Sequence, residues 1–462
     1  MRIRWPGLSR ALVWTAVLAL LVAACAPAAT PAPETPAPGA PTPTPAAAGE
    51  PVVVCELAYY TGPFAAYGPH LTANVVFPVE KVINTDPPLG RPWVLYHEDI
   101  GTVGEAQAAR TCLELHGAEI LVSIAHEYRT YRDWLMEWWQ EHDSPIGPSN
   151  HGGAIPGNLG GNAAEPIFRA QGLDESLGIS GVLYAEKINA QRIVIFATQV
   201  EGFQLAADAA QKAAEFVGIE VLARIDVPAE LPSYRAEAER IADLAPDAVI
   251  VQAGSVESAT LIKQAAEAGI SLYWIGESGW ILPEFIGTLG TEPIGTQKGI
   301  GIAAFTHRYD TPAWEFFQPL WDNAPGFGDT FGPASDIYNY TGYDLMVHTA
   351  LAIEAAGSLK ASAWAPAMHE VGEAPGTVCH TYAECLALIR AGEDIDYEGV
   401  TGPAEYTEGG ANAVTAAYKP FNLDGTSGVP ILLDAHRGLE ILDAIGVRAE
   451  CEPENPPNVC VW

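Results

Sequence analysis

The sequence predicts an α/β fold with two lobes, each built around a parallel β-sheet that is covered by helices. Apolar, strand-like segments alternate with amphipathic helical segments over most of the chain. Strands such as "QRIVIFAT" and "PDAVIVQAG" are almost continuously apolar, which is typical of parallel strands buried on both faces. A chain of 462 residues is also too long for one ordinary hydrophobic core, and this favours two lobes.

The first 24 residues have the pattern of an export signal. Residues 1–10 hold three arginines and no acidic residue, and residues 11–24 form an apolar run that ends in small residues. The run is too short to span a membrane comfortably, so we expect residues 1–24 to be a signal peptide. Its end, "LVAAC", resembles the lipobox of bacterial lipoproteins, and this resemblance implies that Cys25 receives lipid after cleavage. The alternative is an ordinary secretory signal with an incidental cysteine.

The segment that follows Cys25 is a predicted tether. Eight prolines lie among residues 26–50, separated mainly by alanine and threonine. These residues include no aromatic or branched apolar side chain with which to build a core, so we expect an extended, polyproline-like spacer. Residues 25–50 therefore predict an exported protein that is held at a membrane surface through lipid on Cys25.

The predicted elements follow the order expected for parallel sheets. Predicted strands are short runs rich in β-branched and aromatic residues, and they cover residues 51–60, 91–99, 118–125, 191–198, 219–228, 246–254, 270–277 and 299–305. Predicted helices have apolar residues at helical spacing, and they cover residues 64–84, 104–117, 174–190, 201–218, 233–245, 255–269 and 337–357. Sheets of this type bind ligands beyond the carboxyl ends of their strands, where loops lead into helices.

The composition and motifs exclude several classes of function. The net charge is −34 at pH 7, which argues against binding to nucleic acid and against a basic patch for anionic lipid. "GIGIAA" at residues 299–304 matches a dinucleotide-binding pattern, but no clear helix follows it. The histidines lack the spacing of metal ligands, and no G-x-S-x-G motif occurs. We therefore predict no cofactor, no metal and no catalytic residue.

The cysteines indicate disulfides. The chain has seven, and six remain once the candidate for lipidation is set aside. An even number in an exported chain favours disulfides over zinc, because neither a C-x-x-C pair nor interleaved histidines occur. Six cysteines allow fifteen sets of pairings. Local spacing favours Cys379 with Cys385 and Cys451 with Cys460, which leaves Cys55 with Cys112.

Many of these segments also resemble one known family. The stretches concerned are, in chain order, "YYTGPFAAYG", "VLYHED", "AQAARTCLEL", "PIFRAQGLDESLG", "INAQRIVIFATQVEGF", "LAPDAVIVQAG", "LIKQAAEAGI", "YNYTGYDLMVHTALAIEAAGS" and "YEGVTGPAEYTEGGAN". In this order and spacing they resemble type I periplasmic binding proteins, and among these the leucine/isoleucine/valine-binding branch that serves ABC importers. The likeness extends from Val52 to about Leu442.

The resemblance implies a particular arrangement of the lobes. Two Rossmann-like lobes with parallel sheets are joined by three crossovers and close on a ligand like a clamshell. Lobe 1 is expected to contain residues 51–171 and 300–398, and lobe 2 residues 172–299 and 399–446. Residues 447–462 are expected to form a C-terminal tail that carries one pair of cysteines.

The resemblance also implies a function. It indicates an exported solute-binding lipoprotein of an ABC importer, a monomer that captures an amino acid or a related small polar, amine or amide solute without chemistry. The expected partners are that solute, an ABC permease, and the membrane through lipid on Cys25. The alternatives are an extracellular sensor that uses the same fold to signal to a membrane partner, and a secreted enzyme.

Three ligand-binding candidates follow from the best-matched positions. Tyr67 is the aromatic residue before the glycine of the first turn, and Glu277 in "IGESGW" matches the acid that binds a ligand ammonium in the family. Glu201 in "QVEGF" stands where the family has a tyrosine. An ammonium group needs an anion in the site, so Glu277 suits this role. The alternative is that Glu277 only caps the end of a strand.

The positions that grip the ligand carboxylate in the family differ in this chain. The two loops read "SIAHEYRT" and "PSNHGG", which puts Glu127 where a serine is usual and Ser149 and His151 in the second loop. Glu127 cannot bind a carboxylate, because like charges repel. Either Arg129 or His151 compensates for this charge, or the ligand carries no carboxylate.

Overall fold

The structure is a computed structural model, and it describes residues 49–62, 64–124, 127–144, 148–149, 159–169, 172–305, 311–404, 406 and 416–445. The predicted signal peptide, Cys25, the tether up to residue 48, and the tail with Cys451 and Cys460 lie outside these residues. Among the helices that are described, none combines the length and the apolar character needed to cross a membrane.

The first sheet is formed by the N-terminal part of the described chain. Its central strand, β1 (Val52–Ala58), pairs in parallel with β2 (Trp93–Asp99) and with β3 (Ile120–Val122). The other elements of this part are α1 (Gly68–Lys81), α2 (Ile100–Val103), α3 (Glu105–Arg110), α4 (Tyr128–His142), and a short parallel pair, β4 (Pro148–Ser149) and β5 (Phe168–Arg169). A π-helical turn, Thr111–Leu115, continues α3, so the helix predicted at 104–117 is present in an irregular form.

The larger sheet is built mainly from the middle of the chain. Its elements are α5 (Asp174–Lys187), β6 (Arg192–Thr198), α6 (Glu201–Val217), β7 (Glu220–Val227), α7 (Arg235–Leu244), β8 (Ala248–Gln252), α8 (Ser255–Glu267), β9 (Tyr273–Gly276), α9 (Pro283–Leu289) and β10 (Gly299–Phe305). Strands β6 to β10 pair with one another in parallel. The buried apolar strands β6 and β8 confirm the prediction of a parallel sheet.

The C-terminal part of the chain adds two strands to the larger sheet and forms a small three-stranded sheet of its own. Its elements are α10 (Pro312–Asp322), α11 (Gly328–Phe331), α12 (Ile337–Ala356), α13 (Ala361–Glu370), β11 (Thr377–Cys379), α14 (Tyr382–Ala391), β12 (Ile395–Gly399), β13 (Gly402–Pro403), β14 (Ala416–Pro420), β15 (Ile431–Leu432) and α15 (Ala435–Ala444). Strand β14 pairs antiparallel with β10 and with β15, which completes a seven-stranded sheet in the order β15–β14–β10–β9–β8–β6–β7. The small sheet has the order β11–β12–β13.

Helix α12 is the central helix beside the first sheet. It is buried from Ile337 to Ile353, because its apolar residues are spread around the whole helix. It packs against α1. Gly342 permits this close approach, since a Cβ there would lie 2.0 Å from the side-chain oxygen of Asn74.

The elements form two groups. The first group contains β1 to β5 with α1 to α4, and α10 to β13; the second group contains α5 to β10, and β14 to α15. The chain passes between these two groups three times. The crossings lie between β5 and α5, between β10 and α10, and between β13 and β14. This order confirms the predicted fold of two α/β lobes with three crossovers.

The boundaries of the lobes differ from those predicted. Residues 300–305 were expected in lobe 1, but they belong to β10, which pairs with β9 and β14 in the larger sheet. Residues 399–403 were expected in lobe 2, but they pair within β12 and β13, beside β11. The local pattern identifies a strand, whereas its partners are decided by contacts with distant parts of the chain.

Two of the predicted disulfides lie within the described part, and both are present. Cys55 in β1 is bonded to Cys112 in the π-helical turn, with the Cα atoms 5.6 Å apart. Cys379 in β11 is bonded to Cys385 in α14, with a Cα–Cα distance of 5.4 Å. The pairing of Cys451 with Cys460 stays a prediction.

Candidate functional site

A cavity of about 60 Å³ lies where the two groups of elements face each other. The side of the first sheet contributes residues of the β1–α1 loop, of α1 and of the start of α12: Tyr59, Phe64, Tyr67, Leu71 and Tyr338. The side of the larger sheet contributes residues of α5 and α6 and of the ends of β8 and β9: Asp174, Leu177, Gly202, Phe203, Ala206, Gln252, Glu277 and Ser278. The cavity thus lies at the carboxyl ends of parallel strands, where α/β sheets bind ligands.

The loop after β1 is fixed by Asp99, at the end of the neighbouring strand β2. Its Oδ1 accepts hydrogen bonds from the backbone N–H of Tyr60 (3.1 Å) and of the next residue (3.2 Å). At the end of the loop, α1 begins so close to β1 that a Cβ on Gly68 would lie 1.8 Å from the carbonyl oxygen of Tyr59. These contacts hold Tyr67, which precedes Gly68, at the wall of the cavity.

Glu277 follows β9 and caps the short 3₁₀ helix Ser278–Ile281. Its Oε2 accepts hydrogen bonds from the N–H of Gly279 (2.7 Å) and from the hydroxyl of Ser278 (3.0 Å), and the Tyr67 hydroxyl donates to Oε1 over 3.5 Å. The residue is only 2% exposed. Burial raises the pKa of Glu277 to about 7, although the hydrogen bonds favour the charged form. Glu277 therefore acts as a cap and also lines the cavity.

Two further polar residues, Asp174 in α5 and Gln252 in β8, line the same cavity. Burial, together with the carboxyl groups of Glu175 and Glu277, raises the pKa of Asp174 well above its ordinary value, while the charge of Arg169 opposes this shift. Gln252 is 1% exposed, and its Oε1 accepts no hydrogen bond from the residues that the structure describes. Within the same described part, no three His, Cys, Asp or Glu side chains are grouped as metal ligands. Oε1 of Gln252 is therefore available to accept a hydrogen bond from a ligand.

Aromatic rings form much of the remaining wall. Tyr67 meets Tyr338 edge to face, with the ring centroids 5.6 Å apart, and it meets Phe64 at 6.0 Å. Phe64 in turn contacts Phe203 of α6 at 6.0 Å, which joins the two groups of elements. Aromatic rings pack against hydrocarbon and attract cations at their faces, so this wall suits a ligand with either character.

Two polar contacts also connect the groups beside the cavity. The hydroxyl of Tyr338 donates to Oγ of Ser278 (2.9 Å), and Arg129 in α4 forms an ion pair with Glu201 at the start of α6 (2.7 Å). Both Arg129 and Glu201 were predicted to bind ligand, but neither lines the cavity. They meet because the N-terminal ends of two helices face each other in the folded protein, and this the sequence could not reveal.

Glu127, also predicted to bind ligand, is not among the residues that line the cavity. Its Oε2 accepts a hydrogen bond from the backbone N–H of Glu105 (3.1 Å), and its own N–H donates to Oε2 of Glu105 (2.8 Å). Each acid thus caps the helix that begins at the other, which accounts for an acid at this position without a ligand. Ser149 lies in β4, but its side chain and the whole of His151 are outside the described residues.

A comparison with known families agrees with the fold. A family model described as a periplasmic binding protein matches residues 56–383. The chain belongs to the periplasmic binding protein family. The matched region includes every residue that lines the cavity. No curated protein matches the chain by sequence.

Solved type I periplasmic binding proteins share the fold of this family member. A leucine-binding protein from Thermotoga maritima has 16% identity and a TM-score of 0.65, over 83% of this chain and 99% of its own. A solute-binding protein of an ABC transporter from R. palustris, in complex with benzoate, has 16% identity and a TM-score of 0.63, over 83% and 96% of the two chains. A branched-chain amino acid transporter substrate-binding protein from Streptococcus pneumoniae, in complex with isoleucine, has 16% identity and a TM-score of 0.63, over 83% and 99%. At this level of identity the likeness establishes the type I fold.

Several cavity residues of this periplasmic binding protein were missed in the sequence. Gln252 and Asp174 had a usable signal, because one ends a predicted strand and the other begins a predicted helix, where such sheets bind ligands. Phe203 and Tyr338 each lie in the first turn of a helix. An aromatic residue in the first turn of a helix gives the same sequence pattern whether it packs in the core or lines a site, so the sequence does not distinguish these two roles.

Proposed function

We propose that this protein is the solute-binding component of an ABC importer on the extracytoplasmic face of the membrane. It captures an amino acid or a related small polar, amine or amide solute between its two lobes and performs no reaction on it. The observation that carries the proposal is the cavity, which takes its walls from both groups of elements and combines a buried acid, Glu277, with aromatic rings. Type I relatives in complex with isoleucine and with benzoate support a small organic solute.

The N-terminal segment completes the proposal. Lipid on Cys25 retains the protein at the membrane surface. The proline-rich residues 26–50 act as an extended spacer between this anchor and the folded part. From this position the closed, liganded form docks on an ABC permease. The protein acts as a monomer and requires no cofactor.

Capture of the solute is a closure of the two lobes. The contacts of Phe64 with Phe203 and of Tyr67 with Glu277 join the walls of the cavity, so they require the lobes to lie close together. A ligand that touches both walls has a higher affinity for the closed form and shifts the population towards it. The permease then binds the closed form, which is the form that holds a solute.

Thermal unfolding of the purified protein against a panel of amino acids, amines, amides and small carboxylates tests the proposal. A ligand at one hundred times its dissociation constant adds about 2.7 kcal/mol of stability, which for a protein of this size raises the melting temperature by about 3 °C. We expect the shift to be lost in Glu277→Ala and kept in Glu127→Gln, whose carboxylate lies away from the cavity. If no member of the panel raises the melting temperature, solute capture is the wrong function.

A further inference from the structure

We propose that the cavity selects a small organic cation without a carboxylate, namely a short alkyl amine, over an amino acid or an organic anion. The inference rests on the proposed function of solute capture at this cavity. It is carried by three features of the cavity: the sign of its charges, the balance of its hydrogen-bonding groups, and its size.

The charged residue types that line the cavity are acids. Among the described lining residues, Asp174 and Glu277 are carboxylic acids, and no lysine, arginine or histidine is present. Arg169, whose charge acts on Asp174, and Arg129, whose charge acts on the adjacent Glu175, both have other partners. Arg129 is paired with Glu201 (2.7 Å), and Arg169 donates to the carbonyl oxygen of Leu159 (2.6 Å). A ligand carboxylate would therefore face two acids and no lining cation, whereas an ammonium would stabilise the charged form of either acid.

The hydrogen-bonding groups point to the same ligand. Oε1 of Gln252 accepts no hydrogen bond within the described part of the chain. Oε1 of Glu277 receives a single long contact, 3.5 Å, from Tyr67. A buried acceptor without a donor is costly, and an alkyl ammonium supplies three N–H donors in one group. Its hydrocarbon part then lies against the rings of Phe64 and Phe203, which attract a cation and pack against methylene groups.

The size of the cavity limits the ligand. A volume of about 60 Å³ corresponds to roughly four to six non-hydrogen atoms, because one water needs about 10–15 Å³ on this scale. A five-carbon amine meets this limit. Leucine, which adds a carboxylate to the same skeleton, would require the lobes to lie further apart than they do here.

Pairing with a cation makes binding depend on pH. Tyr67 and Tyr338 face Glu277 from the first group of elements, and Asp174 and Glu257 face it from the second. The cation binds the charged form of Glu277, so it displaces a proton from a carboxyl whose pKa is about 7. The dissociation constant of the amine is therefore expected to be about 100-fold higher at pH 5 than at pH 8, because the charged fraction of the carboxyl falls by that factor.

Three probes with one hydrocarbon skeleton test the inference: 3-methylbutylamine as the cation, leucine as the zwitterion, and 4-methylpentanoate as the anion. Isothermal titration calorimetry of the full chain measures each of them at pH 8. We expect the amine to bind at least about 10-fold more tightly than leucine, and the anion not to bind. Titration of the amine at pH 6 in two buffers of different ionisation enthalpy is expected to show the release of close to one proton.

Variants separate the charge from the structure of the site. Glu277→Gln keeps the shape of the side chain and is expected to abolish the pH dependence of amine binding. Gln252→Leu is expected to weaken the amine about 10-fold, the cost of one lost hydrogen bond to a charged group, and to leave the pH dependence intact. Glu127→Gln is the matched control, because its carboxylate is exposed and lies away from the cavity.

The outcomes distinguish this inference from the proposed function. Leucine or 4-methylpentanoate binding as tightly as the amine would overturn the inference and leave solute capture intact. Binding of benzoate, with no response to amines from two to six carbons, would do the same. If neither the probes nor the broader panel bind, both proposals fail.

Discussion

The charge state of Glu277 makes a quantitative prediction about stability. One pKa unit corresponds to about 1.4 kcal/mol, so the difference between about 7 in the folded protein and the ordinary value of 4.5 amounts to about 3 kcal/mol. The pKa is raised in the folded state, so the protonated acid contributes its full stability below pH 4.5. This contribution is lost as the pH rises through 7. The side chain of a Glu277→Gln variant does not titrate, so the free energy of unfolding of this variant does not include this fall with pH.

The measurement is denaturant unfolding of the ligand-free protein and of the variant between pH 4.5 and pH 8. The free energy of unfolding of Glu277→Gln, relative to that of the unchanged protein, is expected to rise by about 3 kcal/mol over this range. Glu175 contributes equally to both proteins, whereas Asp174 loses the charge of Glu277 that raises its pKa, and this adds to the expected rise. Glu284→Gln is the control for the substitution itself, since this glutamate lies on α9 at the surface.

A constant difference between Glu277→Gln and the unchanged protein would refute the reasoning. It would mean that Glu277 keeps one protonation state from pH 4.5 to pH 8, so that burial does not control its charge. The proton release expected on amine binding would then be absent as well.

Three further predictions concern the framework around the site. Replacement of both Cys55 and Cys112 by alanine is expected to lower the free energy of unfolding by about 4 kcal/mol, because the disulfide closes a loop with a sequence separation of 57. A denaturation midpoint that does not change when reductant is added would contradict this expectation. Gly68→Ala is expected to destabilise the protein by at least about 2–3 kcal/mol and to alter its near-ultraviolet circular dichroism, because the new Cβ would lie 1.8 Å from a backbone oxygen; an unchanged melting temperature would show that the loop has room. Arg129→Met, which removes the ion pair with Glu201, is expected to cost less than about 1 kcal/mol, since the arginine is 52% exposed, and a larger loss in denaturant unfolding would indicate a wider network.

Much of the fold follows from local patterns in the sequence. Apolar runs such as 191–198 and 246–254 are strands because they suit burial on both faces of a parallel sheet, and they occur as β6 and β8. The pairing of Cys379 with Cys385 also follows from local spacing. Tyr67 and Glu277 were identified through the resemblance to type I periplasmic binding proteins, and both line the cavity.

The tertiary structure decided the rest. The sequence shows that 299–305 is a strand, but only long-range pairing places it between β9 and β14. Gln252 and Asp174 reach one cavity because the ends of separate elements converge there. Glu127 accepts a hydrogen bond from the N–H at the start of the helix that begins at Glu105, because the folded chain brings the N-termini of these two helices together. Periodicity reports which face of an element is buried, whereas a site is defined by which elements meet.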